Sequence, residues 1–238
     1  MAHIKKVTIF LYELYETKKQ DTNIMTKPLF ITFEGPEGAG KTSVLEILIS
    51  ELKPLLGGEL ITTREPGGNP ISEAIRAILQ PAEDNGMDER TEALLYTAAR
   101  RQHLVEIILP ALKSGKVVIS DRYIDSSLAY QGGGRGLGVD NIWQINQFAT
   151  EGLMPDLTIY FDVPPELGLA RVKANRQGKI DRLDKEDLSF HQTVRQTYLQ
   201  LQHDFSDRIK LIDAAQPLDQ VVADTRALLL KTLKTRKE

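Results

Sequence analysis

The sequence predicts a doubly wound α/β domain, a five-stranded parallel sheet with helices on both faces and a small lid. Three observations predict it. Short apolar runs recur along the chain, long stretches of helical periodicity separate them, and a glycine-rich turn joins the first run to its helix. At 238 residues and 26.7 kDa, with 41% hydrophobic residues, the chain can bury one sizeable core.

The elements follow in order. Residues 29–34 (LFITFE) form the first strand, followed by the glycine-rich turn and a helix over about residues 41–52. Residues 59–63 form the second strand, and helices follow over about residues 71–79 and 88–113. Residues 116–121 (KVVISD) are nearly all apolar, which predicts a central third strand. Residues 157–162 and 209–213 complete the sheet. Before Met25, Ile4, Val7, Leu11 and Leu14 recur at helical spacing over residues 4–16, with a polar link over residues 18–23. Residues 1–24 are therefore either an accessory helix of unknown role or an over-extended start with Met25 as the actual beginning. Residues 25–238 form the domain.

Composition narrows the function. Thirty Lys plus Arg against 33 Asp plus Glu leave a net charge of -3, which disfavours nucleic-acid binding as the main activity. Zero cysteines exclude disulfides, Cys-ligated zinc, iron–sulfur clusters and thiol catalysis, and they fit a reducing cytosol. No run reaches the roughly 18–20 apolar residues of a membrane span. The apolar stretch from Val7 to Tyr12 is cut off by Glu13 and Glu16, with no small-residue cleavage site after it. The chain reads as soluble, not exported and cytoplasmic.

Residues 35–42 (GPEGAGKT) match G-x-x-x-x-G-K-[ST] between a predicted strand and a predicted helix. Gly35, Pro36, Glu37, Gly38, Ala39 and Gly40 would wrap backbone N–H groups around phosphate oxygens at a helix N-terminus. Lys41 would bring a cation to the β- and γ-phosphates, and the Thr42 hydroxyl a ligand to Mg²⁺. The bland alternative is a glycine turn capping a helix. Asp121 closes the third strand beside this loop, where a carboxylate reaches the metal directly or through water. The loop reads as a P-loop that binds nucleotide phosphates.

A P-loop alone leaves several classes open. The chain lacks a guanine-reading N/T-K-x-D, a suitably placed D-x-x-G switch and an L-S-G-G-Q-like transporter signature. A small kinase remains, which needs a second anion site and a mobile basic cover. Arg64 follows the second strand, Arg76 lies on the next helix, and Arg122 follows Asp121, all near the sheet edge where ligands bind. Tyr96 and Arg100 are one helical turn apart, so a ring and a fork of donors share a face suited to a base. Helix packing for Tyr96 and surface salt bridges for Arg76 and Arg100 are the competing readings. Arg171, Lys173, Arg176, Lys179 and Arg182 surround Gly178 against Asp181 alone. This stretch is either a solvated helix end or a lid that brings an arginine to the moving phosphoryl group.

These residues together resemble the bacterial thymidylate kinases, over about residues 30–230. The resemblance rests on residues 33–42 (FEGPEGAGKT), 63–68 (TREPGG), 121–131 (DRYIDSSLAYQ), 155–160 (PDLTIY) and 181–184 (DRLD). It implies transfer of a phosphoryl group from ATP to dTMP with Mg²⁺, by a homodimer with no nucleic-acid or membrane partner. It implies Glu37 near the deoxyribose hydroxyl and acceptor phosphate, Tyr96 stacked on thymine, and Arg100 on its O4 edge. Arg76 and Arg122 would hold the acceptor phosphate. Ser127 and Gln131 would line the other base edge, and Tyr130 would crowd a ribose 2′-hydroxyl. A loop with Glu37 and Ala39 but no internal arginine goes, in this family, with a catalytic arginine in the lid at about residues 171–184. Arg176 is the choice there and Arg171 the alternative, with Lys41 and Arg122 the other catalytic groups. Many relatives carry Phe at the Tyr96 position, so the tyrosine hydroxyl needs a partner. The runner-up is a kinase for another nucleoside monophosphate. A non-catalytic ATP-dependent switch is the reading from outside the enzymes.

Overall fold

The computed structural model describes residues 27–80, 86–175 and 182–235. The expected helix at residues 4–16, its polar link, Arg176 and the middle of the lid stretch lie outside the described residues. Five parallel strands run in the order β2-β3-β1-β4-β5. They are β1 (Leu29–Glu34), β2 (Leu60–Arg64), β3 (Val117–Asp121), β4 (Leu157–Asp162) and β5 (Ile209–Asp213). β3 lies inside the sheet between β2 and β1, as its apolar run predicted, and β1 holds the middle of the order. Both are interior strands buried on two faces, and strand hydrophobicity alone does not rank such neighbours. β2 and β5 are the half-exposed edges.

Helices α1 (Lys41–Leu56), α2 (Pro70–Leu79), α3 (Glu89–His103) and α4 (Leu109–Lys113) occupy the first half of the chain. α1 runs past its expected end and contains Pro54 in its last turn, where the ring removes one ladder donor. The Asn69 side chain caps α2 by accepting from the N–H of Ser72, with Pro70 at the first helical position. Asp88 caps α3 by accepting from the N–H groups of Arg90 and Thr91. The expected long helix over residues 88–113 is continuous, but it passes through a π-helical turn at Leu104–Ile108 before α4. Pro110 removes a ladder donor just beyond that turn.

The second half contains α5 (Ile124–Ser127), a π-helical Leu128–Gly134, α6 (Val139–Thr150), α7 (Pro165–Asn175), α8 (Leu188–Asp204) and α9 (Leu218–Thr235). Strand alternation divides the core in two. Leu29, Ile31 and Phe33 pack with Val44 and Leu48 of α1 and Val222 and Leu229 of α9. Phe30 packs on the opposite face with Leu104, Tyr123, Leu128 and Val194. The connection from β1 runs to β2 on one side, whereas that from β3 crosses to β4 on the other. The loops after β1 and β3 therefore open onto the crevice where such sheets bind ligands.

Candidate active site

Gly35 has φ +139°, and a Cβ there would press on the carbonyl of Phe161; Gly38, at φ +73°, would meet the backbone of Gly168 in α7. The phosphate loop thus needs glycine both for its dihedrals and for its seat between β4 and α7. α1 begins at Lys41, directly at the end of the loop. Lys41 Nζ donates to the carbonyls of Gly35 at 2.7 Å and Pro36 at 2.9 Å. Burial, and then the nearby Arg122 charge, bring its ammonium pKa down to about 8, although Asp121, Glu37 and Glu34 partly oppose the fall.

Asp121 ends β3 beside Phe33 of β1 and lines the same cleft as Thr42. Its Oδ1 is buried and accepts no hydrogen bond among the described residues. An orphaned carboxylate oxygen in a phosphate cleft fits a hard cation, so the residues suit Mg²⁺.

Arg122 sits in the left-handed region at φ 73°, where a bulky residue is strained. Several partners hold it there. Its N–H donates to the Phe33 carbonyl at 2.9 Å, Nη1 donates to Ser126 Oγ at 3.0 Å, and Nη2 donates to Glu37 Oε1 at 2.7 Å. Tyr130 donates its hydroxyl to Glu37 Oε2 and places its ring 5.2 Å from the Arg122 guanidinium. Burial alone would raise the Glu37 pKa, but the Arg122 and Lys41 charges and the Tyr130 bond outweigh it and hold the carboxyl low. Beneath this pair, Glu34 accepts from the Tyr123 N–H at 2.7 Å, from Ser126 Oγ and from the Tyr198 hydroxyl at 3.0 Å. Burial first, and Asp125 second, push Glu34 up to about 7.

The opposite wall is α3. Arg100 is 2% exposed, which removes the surface-salt-bridge reading for it. Its Nε donates to Glu65 at 2.7 Å, Nη1 to Ser127 Oγ and Asn146, and Nη2 to the Tyr123 carbonyl. One Nη2 hydrogen stays uncommitted among the described residues. Glu65 also bonds His103 Nδ1 at 2.9 Å, and His103 Nε2 lies 2.6 Å from Thr63 Oγ1. Tyr96 reaches the cleft one turn before Arg100, with burial and then the Glu92 charge pushing its hydroxyl up to about 12. Gln131 Nε2 donates to Glu92 at 2.7 Å. Arg76 donates to the Pro66 carbonyl, whereas Arg64 pairs with Glu73 at a half-exposed site.

A single cleft of about 780 Å³ gathers these groups. It brings together Glu37 to Thr42, Asp121, Arg122, Arg64, Arg76, Tyr96, Arg100, Ser127, Tyr130 and Gln131. Gly35 and Pro36 stay behind the cleft, holding Lys41. Arg171 lines the cleft but donates to the Ala214 carbonyl at 2.8 Å and the Gly38 carbonyl at 3.3 Å, clamping the loop. Arg182, at the far end of the lid stretch, pairs with Glu92. Sequence reasoning passed over Glu34, Glu65, Glu92 and His103. Glu92 lies one turn before Tyr96 on the face already singled out, so the same spacing would have found it.

A family model described as thymidylate kinase matches residues 33–225, which include both walls of this cleft. The chain belongs to the thymidylate kinase family. It is 81% identical over 213 residues to the thymidylate kinase of Leuconostoc citreum (strain KM20), covering 90% of this chain and 100% of that one. It is 76% identical over 212 residues to that of Leuconostoc mesenteroides, covering 89% and 100%. The crystal structure of thymidylate kinase from Ehrlichia chaffeensis superposes with a TM-score of 0.69 at 32% identity, over 85% of this chain and 98% of that chain. The doubly wound P-loop architecture is thus that of the family. Among the described residues no helix is long and apolar enough to cross a membrane.

Proposed function

We propose that this thymidylate kinase family member transfers the γ-phosphoryl group of ATP to dTMP, giving ADP and dTDP on the route to dTTP. The observation that carries the reading is the 2.7 Å pair between Glu37 of the phosphate loop and Arg122 of the β3 turn. It joins the donor and acceptor halves of one cleft. ATP phosphates lie along residues 35–42, with the α1 N-terminus and Lys41 on the β- and γ-phosphates. The dTMP phosphate lies against Arg122 and Arg76, with Arg64 at the mouth and Glu37 beside the sugar. Thymine lies between Tyr96, Arg100, Ser127 and Gln131, and Tyr130 closes the ribose 2′ side.

The acceptor oxygen is already anionic, so transfer needs no strong base. Positioning and neutralisation by Lys41 and Arg122 supply the acceleration. Thr42 and Asp121 would hold Mg²⁺, which supplies charge neutralisation on the phosphates when bound. A lid arginine completes the neutralisation, and Arg176 is our assignment. Arg171 already serves carbonyls of the phosphate loop and of the turn after β5, which leaves it less free to move.

We assign the protein to the cytoplasm and to a homodimer. Exposed Ile71 and Ile78 on α2, Leu94 on α3 and Phe148 on α6 support the dimer, as these helices pack on one another. A coupled assay with ATP and Mg²⁺, offering dTMP, dUMP, dCMP, AMP and GMP in turn, tests the reaction. Preference for dTMP is expected. A different preferred acceptor would replace the substrate, and transfer to none would leave only a nucleotide switch.

A further inference from the structure

We propose that Glu92 is a positioning residue that sets which pyrimidine the site accepts, by fixing the orientation of the Gln131 amide. The inference deepens the function proposed above and rests on its placement of the base. Glu92 is 0% exposed, does not line the cleft, and sits between the guanidiniums of Arg182 and Arg135. Held between two fixed positive charges, it is a carboxylate, and a carboxylate only accepts hydrogen bonds. Gln131 is 2% exposed and donates Nε2 to Glu92 Oε1 at 2.7 Å. Turning the amide over would set its carbonyl against the carboxylate and leave both oxygens buried without a donor. Gln131 therefore keeps its carbonyl oxygen as the end offered to the cleft.

The neighbouring groups have the opposite polarity. Arg100 has only donors, and one Nη2 hydrogen is left after its bonds to Glu65, Ser127, Asn146 and Tyr123. Ser127 Oγ accepts from Arg100 at 2.9 Å, so its own hydrogen is left to donate. A base meeting an acceptor at Gln131 and donors at Arg100 must present an N–H beside a carbonyl. Thymine and uracil do so at N3 and O4, whereas neutral cytosine shows a bare nitrogen beside an amino group. Rejection of cytosine depends on the amide staying as Glu92 holds it. The Glu92–Arg182 pair also ties this selection to the returning end of the lid stretch.

The test is Glu92→Gln, whose amide donates or accepts and so lets Gln131 turn over. Steady-state kcat/KM is measured for dTMP, dCMP and dUMP with ATP and Mg²⁺. The dTMP-to-dCMP ratio should fall by about tenfold or more, while the dTMP-to-dUMP ratio, which compares bases sharing that edge, should hold. An unchanged dTMP-to-dCMP ratio, with or without a uniform loss of rate, overturns the proposal. If the variant does not fold, the unaltered protein decides by calorimetry. N3-methyl-dTMP, which lacks the N–H, should bind at least about tenfold more weakly than dTMP, and equal binding overturns the proposal. Arg100→Ala separates the two layers. An unchanged KM for dTMP in that variant faults the placement of thymine itself, whereas a raised KM leaves Glu92 to be judged by the ratios.

Discussion

In the proposed transfer Lys41 would have to carry a charge, yet burial and the neighbouring Arg122 make that charge costly. Its lowered pKa of about 8 sets an alkaline boundary. Because kcat/KM for ATP reports the free enzyme, it should fall as pH rises through about 8. A profile flat to pH 10 would show that the lysine keeps its proton. Lys41→Ala should reduce kcat by about 10²–10³-fold while dTMP still binds with little loss, read by isothermal titration. Glu34 poses the opposite problem at the base of the same turn. Its carboxyl is raised from 4.5 in the unfolded chain to about 7 in the fold, so the native state binds more protons between those values. Stability should therefore be highest below pH 4.5 as far as this group is concerned, decline as pH rises towards 7, and stay reduced above it. Glu34→Gln should remove that slope, so its melting temperature should gain on the parent between pH 5 and pH 8. Parallel melting curves across that range would contradict the shift.

At the scale of elements, α7 fixes the phosphate loop as firmly as β1 does. Gly168 lies so close to the loop that an added Cβ would sit 2.7 Å from the Glu37 carbonyl. Gly168→Ala should push the loop off its seat and raise the KM for ATP several-fold, with the KM for dTMP much less affected. Equal changes in both would mean that the helix supports the whole cleft instead. The strands, the loop and the helix carrying Tyr96 and Arg100 were readable from the chain because each rests on local spacing. The order of the middle strands was not, since β1 and β3 bury both faces alike. The π-helical turns also escaped, because a register change of one residue barely alters hydrophobic periodicity. What supports the predicted site residues lay hidden for a different reason. Arg100 finds Glu65 across 35 positions, and Tyr130 finds Glu37 across 93, and no local pattern marks such partners.

For the molecule as a whole, the apolar side chains left in solvent mark the face on which the proposed homodimer would pair. Phe148 is 89% exposed and Leu94 58%, and their helices α6 and α3 pack against each other. Ile71 and Ile78, seven residues apart and so on one stripe of α2, extend the apolar surface beyond α3. Burying a phenylalanine contributes about 1.5–3 kcal/mol, so a symmetric face that hides one from each copy has much to gain. A charge placed there would have to be buried without a partner. Phe148→Glu should therefore shift the protein towards monomer in sedimentation velocity at micromolar concentration, with its circular dichroism unchanged. The same face is the back of α3, the helix that presents Tyr96 and Arg100 to the cleft. Losing the partner should consequently loosen the base wall before it affects the phosphate loop, raising the KM for dTMP more than that for ATP. A Phe148→Glu protein that sediments like the parent would place the subunit contact elsewhere. A clean monomer with an unaltered KM for dTMP would show instead that α3 holds its shape alone.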